Sequence, residues 1–388
     1  MFKLGGKVGY VTRHARRLFK VKHTVLTVDR ALYCKLIELK WCVPEYRNKL
    51  IPRLGGHHIS MNFLKAIGDH MDGSGLAEVW VESGLLGQGT VERILAGKAY
   101  NKGMRAHKLT LQALWHIVAP TFLLFVAEVD RECHDQLSNM AADDNRERIL
   151  EMITFLMQDK FHKLMKEFVD SKSEDVNFIF WWRYMEMVSI LLQFTRAQRD
   201  GLWDIHLRSF SHMLPYFIRY DHLNYARWGP VYLAEMHQLP DSVLEEFQNG
   251  NFVVKRSAQR FNQVDPDHAM EWINGTGKKG GGIVGITKTP SALCRWTLSY
   301  NLRSHIAAET YAVYNLCPGS THLHKEATIS RQTRDRDDEN ALISTFRGFN
   351  VFSSARNPGS AGTLQNIATK DLPTEEIQES ILYAKELG

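Results

Sequence analysis

Leu50-Ile51-Pro52-Arg53-Leu54-Gly55-Gly56-His57-His58-Ile59-Ser60-Met61-Asn62-Phe63-Leu64 reads as a short apolar strand, a Gly-Gly turn and a helix that opens on paired histidines. Corners of this kind join two rigid elements and hold polar side chains at their tip, which is where α/β proteins often place chemistry. Upstream, Thr24-Val25-Leu26-Thr27-Val28-Asp29 is a β-branched run that ends in a carboxylate, and Arg30–Leu39 behind it has a helical pattern. Strand, helix, strand and helix thus follow one another. His23–Asp29 and Leu50–Leu54 are the expected strands.

Outward from this corner the pattern becomes helical. The corner helix is expected over Ile59–Met71, stopped by Asp72-Gly73-Ser74-Gly75. Ala77–Glu82 suits a third strand or a further helix, and Thr90–Leu95 a short helix. Residues 105–248 repeat apolar side chains at helical spacing, with proline at 215 and 230 marking places where helices kink or break. Residues 249–316 mix short strands with helices: Phe252–Val254 as strand, Asp267–Ile273 as helix, a glycine-rich turn over 275–282, and a long helix over 291–316. Residues 317–388 are polar and weakly patterned and read as a mostly disordered tail with a short helix near Thr374–Leu387. The expected organisation is a basic segment over 1–22, an α/β core over 23–104, an α-helical body over 105–248, a mixed module over 249–316, and the tail. The fold class is α+β, mainly helical: a small mixed sheet with a large helical body.

Composition excludes several classes. The five cysteines, Cys34, Cys42, Cys133, Cys294 and Cys317, are scattered and include no C-x-x-C pair, against both a disulfide framework and a zinc knuckle. They suit an intracellular protein, nuclear or cytoplasmic. Leu109–Val129 and Phe178–Phe194 are long and apolar, but the first carries Gln112, His116 and Glu128 and the second Arg183, Glu186 and Gln193; buried helices are expected, not membrane spans. Net charge is only +5, yet residues 1–28 hold seven Lys or Arg and no acid, a block suited to phosphates or to a solvated edge. Arg13, Arg16 and Arg17 are its nucleic-acid-binding candidates. Lys278 and Lys279 are others, in a flexible basic turn that lacks the G-x-x-x-x-G-K-[ST] order of a phosphate loop.

Asp29, at a strand end, is placed to hold Mg²⁺ or Mn²⁺, and equally placed to cap the helix that follows. Adjacent histidines on a helix point about 100° apart and do not easily chelate one metal, so His58 is a candidate as a single ligand, proton donor or phosphate contact. The polar and aromatic segment Tyr220–Trp228 offers Asp221, with Glu235 beyond it, as a third acidic position; the competing reading is an interhelical corner anchored by Tyr and Trp.

The pieces LTVDRALY, RLGGHHISMNFLKAIGDHMDGSGL, ILAGKAYNKGMRAHK, YDHLNYARWGPVYLAEM, GNFVVKRSAQRF and KKGGGIVGITKTPSALCRW spread over most of residues 24–316. In them the chain resembles a multi-copy family of invertebrate, chiefly cnidarian, proteins linked to mobile elements. The resemblance implies a ribonuclease-H-like transposase core with a helical insertion, DNA as partner and Asp29 as metal carboxylate. This nuclease-like reading requires the two expected strands to be neighbours in one sheet. A related pattern has G-D-F-H where this chain has Gly55-Gly56-His57-His58, so its strand-borne aspartate is replaced by Gly56. The expectation is a transposon-derived protein, at most a degenerate metal-dependent nuclease, with Asp29, His58, Asp221 and Glu235 as the catalytic candidates. The alternatives are a non-enzymatic nucleic-acid or protein interaction module, and an enzyme of another class that uses His58 as acid or base.

Overall fold

The computed structural model describes residues 22–141, 154–155, 158–255, 261–277, 287, 289–299, 302, 328–349 and 352. The basic candidates Arg13, Arg16, Arg17, Lys278 and Lys279, and the expected helix at Thr374–Leu387, lie outside them. The protein is mainly helical with small sheets, as its pattern suggests. It divides into two units, one of residues 1–66 and 190–332 and the other of residues 67–189 and 333–388. The expected split into a core over 23–104 and a body over 105–248 therefore does not match these units, which interleave along the chain.

In the first unit, β1 (Thr24–Val28) and β2 (Leu50–Leu54) pair in parallel, Thr24 opposite Leu50 and Val28 opposite Leu54. Parallel strands need a crossover, here α1 (Arg30–Cys42) and the single turn α2 (Pro44–Arg47). Leu36, Leu39, Tyr46 and Leu50 are buried together, with Leu26, Val28, Leu32 and Val43 packed against them, so the crossover covers one face of the sheet. Every residue of β2 is buried, whereas β1 is half-exposed. The ladder runs on into the corner, where the Gly55 N–H donates to the Val28 carbonyl at 2.8 Å.

Helix α3 spans Gly56–His70 and so starts three residues before the expected Ile59. Its first turn leaves N–H groups that need acceptors, and a carboxylate from far along the chain supplies them, as described below. The end of α9 (Val176–Asp200), α10 (Trp203–Arg219) and α11 (Leu223–His237) complete the helical part of this unit. Pro215 and Pro230 lie inside α10 and α11 without breaking them. Phe210 meets Tyr232 edge-on and Phe217 stacks on Tyr225, which joins α10 to α11 through aromatic faces. After α12 (Asp241–Gln248), β3 (Val254–Lys255) pairs antiparallel with β4 (Gln263–Val264), two residues beyond the expected strand, and α13 (Pro266–Gly277) follows.

In the second unit Ala77–Glu82, read as either strand or helix, lies in the helix α4 (Leu76–Glu82), with Leu76, Val79 and Trp80 buried on one side. It precedes α5 (Gln88–Leu95) and the 30-residue α6 (Tyr100–Val129), followed by α7 (Arg131–Ala141) and α8 (Asp159–Ser171). Helix α6 is long and apolar enough to cross a membrane by length and composition. Ala106, Leu109, Ala113, Leu114, Val118, Phe122 and Val126 give it one buried face. The tail reading needs correction. Ile329–Phe349 forms a 21-residue helix, α14, with Leu342 and Phe346 buried. Phe346 meets Trp181 edge-on, centroids 5.5 Å apart. The stretch looked unstructured because its first half is charged and polar and only Leu342 and Phe346 are fully buried.

Candidate functional site

The polar centre of the first unit is assembled around the Gly-Gly corner. Arg53, on β2, points its guanidinium into the interior, and its Nη2 lies 2.7 Å from Asp265 Oδ2, with both side chains 1% exposed. Nη1 donates to the Phe252 carbonyl and, at 3.4 Å, to Thr27 Oγ1. The guanidinium also lies 5.1 Å from the Phe252 ring centroid and 5.9 Å from that of Trp203. Burial opposes the Arg53 charge, but Asp265, Tyr232 and Asp267 outweigh it and its pKa is raised.

Asp267 sits over the start of α3. Its Oδ1 accepts from the His57 N–H at 3.1 Å and the His268 N–H at 2.8 Å; its Oδ2 accepts from the His58 N–H at 3.1 Å and lies 2.9 Å from His58 Nδ1. A carboxylate at a helix N-terminus meets both free amides and the positive end of the helix dipole. Despite burial, these donors, the His58 ring foremost, hold the Asp267 carboxyl well below the usual range. Burial pushes Asp265 the other way, against the pull of Arg53, and the neighbouring charge of Asp267 adds to the rise. The hydrogen bond to Asp267 raises the His58 pKa, while burial lowers that of His57, whose ring stacks on His268 at 4.1 Å.

The two glycines explain why the carboxylates fit. A Cβ at Gly55 would stand 2.2 Å from Asp267 Oδ2, and one at Gly56 would stand 1.9 Å from Gln198 Nε2 and 2.6 Å from Asp265 Oδ2. The space that a side chain at position 56 would take is therefore occupied by the Gln198 amide and, next to it, the Asp265 carboxylate.

The candidates named from sequence divide. Asp29 accepts from the Leu32 N–H at 2.8 Å and caps α1. It lies close enough to His58 to favour the charged imidazole, as do Asp267 and Glu271. Glu235 pairs instead with Lys40, tying α11 to α1. Asp221 is exposed between α10 and α11 with φ +55°. The four expected residues thus do not converge. Arg53, Asp265 and Asp267 were missed, and the one signal available was Asp265-Pro266-Asp267 in front of a helical pattern, which marks a helix start without naming its partners.

Among the described residues no three His, Cys, Asp or Glu side chains form a metal-binding group. Asp267 spends both oxygens on N–H donors, and Asp265 holds a guanidinium. The donor set does not fit a resident Mg²⁺ or Mn²⁺ centred on Asp29.

A family model for a domain of unknown function, DUF8702, matches residues 10–388. The chain belongs to this family. No curated protein and no solved structure matches it. Because the DUF8702 match takes in Arg53, the Gly-Gly corner, Asp265 and Asp267 alike, the cluster is part of the family domain.

Proposed function

We propose that this protein is a nucleic-acid-binding derivative of a mobile-element nuclease, with a ribonuclease-H-like centre converted from catalysis to structure. The observation that carries the reading is the Arg53–Asp265 pair at 2.7 Å, with both side chains 1% exposed, beside the parallel strands β1 and β2. Two-metal phosphoryl transfer needs carboxylates that converge on divalent cations and leave room for substrate oxygens. Here the cation is a guanidinium belonging to the chain itself, which engages Asp265, while Asp267 is taken up by the start of α3. The acid-free basic stretch over residues 1–28 supports phosphate contact.

The test combines two measurements on the full chain. Binding to a labelled DNA duplex, followed by fluorescence anisotropy, is expected to weaken steeply as KCl rises; a flat response to salt would remove phosphate contacts from the account. With Mn²⁺ present, neither the wild-type protein nor Gly56→Asp is expected to nick supercoiled DNA. Nicking by the wild type that disappears in Asp29→Asn would show a live catalytic centre and overturn the conversion.

A further inference from the structure

Lys102, Arg105, Lys108, Gln112 and His116 follow one another along α6 at steps of three or four residues, which sets them on one face over about 21 Å of helix. Lys102, Lys108, Gln112 and His116 are exposed, and the only acid in the helix, Glu128, is near its far end. Two members of this row, Arg105 and His116, meet acids of another helix. Arg105 Nε and Nη2 donate to Asp335 Oδ1 at 2.8 and 2.5 Å, and Nη2 donates also to Asp338 Oδ2. His116 Nε2 lies 3.1 Å from Glu339 Oε1. All three acids are on α14, on the same side as its buried Leu342 and Phe346.

The geometry of this contact resembles phosphate recognition. A guanidinium fork matches a carboxylate and a phosphate alike. Two carboxylates three residues apart converge on one Arg105, as two oxygens of a phosphodiester would. Leu342 and Phe346 anchor α14, while its ion pairs, with side chains 20–25% exposed, are open to screening.

We infer that the basic row on α6 is a contact surface for the nucleic-acid phosphate backbone, and that the acidic face of α14 covers it by standing in for the phosphates. This rests on the nucleic-acid reading above and adds to it a place and a cover. Release of α14 frees Arg105, and takes Glu339 away from the already exposed His116, so that both join Lys102 and Lys108 in one cationic strip.

The experiment measures binding of a fluorescein-labelled 20-base-pair duplex by the full chain at about 0.1 M KCl, where exposed charges still interact over roughly 10 Å. Asp335→Asn/Asp338→Asn is expected to bind at least about tenfold tighter than wild type, with a steeper salt dependence, since each additional phosphate contact adds close to one to the slope. Glu82→Gln/Glu245→Gln removes two exposed carboxylates from other helices and controls for net charge; its gain is expected to stay below about threefold. Adding Arg105→Gln to the α14 variant should return affinity to the wild-type level. Phe346→Ala loosens the same helix without altering charge and should also tighten binding, with faster amide exchange over residues 335–346. If the α14 variants bind no tighter than the control while exchange shows the helix released, the inference is overturned and the nucleic-acid reading stands. If no form of the chain binds the duplex, that reading fails and this one with it.

Discussion

In the first unit Arg53 and Asp265 lie 2.7 Å apart with side chains 1% exposed; in the second His107 is equally buried, and its ring faces a neutral hydroxyl. His107 Nδ1 lies 2.9 Å from Tyr184 Oη, the ring packs edge-on to Trp80 at 5.0 Å, and burial lowers its pKa to about 3. The Arg53–Asp265 site thus buries a charge with its counter-charge, and the His107 site buries a titratable ring by keeping it neutral, as the first unit also does at His206. The difference teaches where each is fragile. A charge pair fails when one partner is removed, whereas a neutral histidine fails when it is protonated.

The largest effect is expected from breaking the pair. Arg53→Met leaves Asp265 buried beside Asp267 without its guanidinium, and loss of one partner of a buried pair costs about 3–5 kcal/mol. Urea unfolding should show that loss, and hydrogen exchange should place it in the first unit. Arg53→Met/Asp265→Leu removes both charges and should recover a large part of it, because an apolar replacement of both partners is often near neutral. A single variant that loses less than about 1 kcal/mol would mean that the pair carries little of the fold.

The His107 site should respond to acid. His107 has a folded-state pKa below its unfolded value, so its neutral form is the one that folding favours. That contribution is complete above about pH 6.5 and is lost as pH falls from there towards about 3, at about 1.4 kcal/mol per pH unit. His107→Gln, followed by urea unfolding from pH 7.5 to 5, should flatten the pH dependence by that slope. An unchanged slope would mean that His107 is not the group that titrates.

A smaller effect separates two glycines, one in each unit. A Cβ at Gly68 would stand 2.1 Å from the Leu95 carbonyl oxygen, backbone that cannot turn aside, whereas one at Gly56 meets the side-chain ends of Gln198 and Asp265. Overpacking costs roughly 1–3 kcal/mol, and alanine returns up to about 1 kcal/mol of helix propensity. Gly68→Ala should therefore destabilise by roughly 1–2 kcal/mol, and Gly56→Ala by less. The reverse order in thermal unfolding would show that the corner around Asp265 is the more rigid of the two.

These contrasts also show what could be read in advance. Strands β1 and β2 were legible because β-branched and apolar runs bounded by turns have few other solutions. Helix α1 was legible from its period, and Asp29 already had its capping reading. The packed-corner reading of Tyr220–Trp228 agrees with the burial of Tyr225 and with Glu235 being committed to Lys40. The site was not legible. Arg53 looks like an ordinary strand residue, and its partner stands 212 positions away with nothing local to announce it. Gly56 read as a missing carboxylate, although the space beside it is filled by the Gln198 amide and the Asp265 carboxylate. Helix α14 was hidden for a related reason, since its charges become informative only once Arg105 is beside them.

The smallest expected effect sharpens the comparison, because His58 runs opposite to His107. Its hydrogen bond to Asp267 raises its pKa, so folding favours the charged ring. The stabilisation is fully present below its unfolded value near 6.5 and disappears as pH rises through the folded-state value. The side chain is 33% exposed, and solvent screening holds the contribution to about 1 kcal/mol or less. His58→Gln should then cost stability at pH 6 and almost none at pH 9, the reverse of the pH trend set by His107. Equal losses at both values would make the Asp267 contact a neutral hydrogen bond. In that case the charge balance at the head of α3 would rest on its backbone amides and on Arg53 alone.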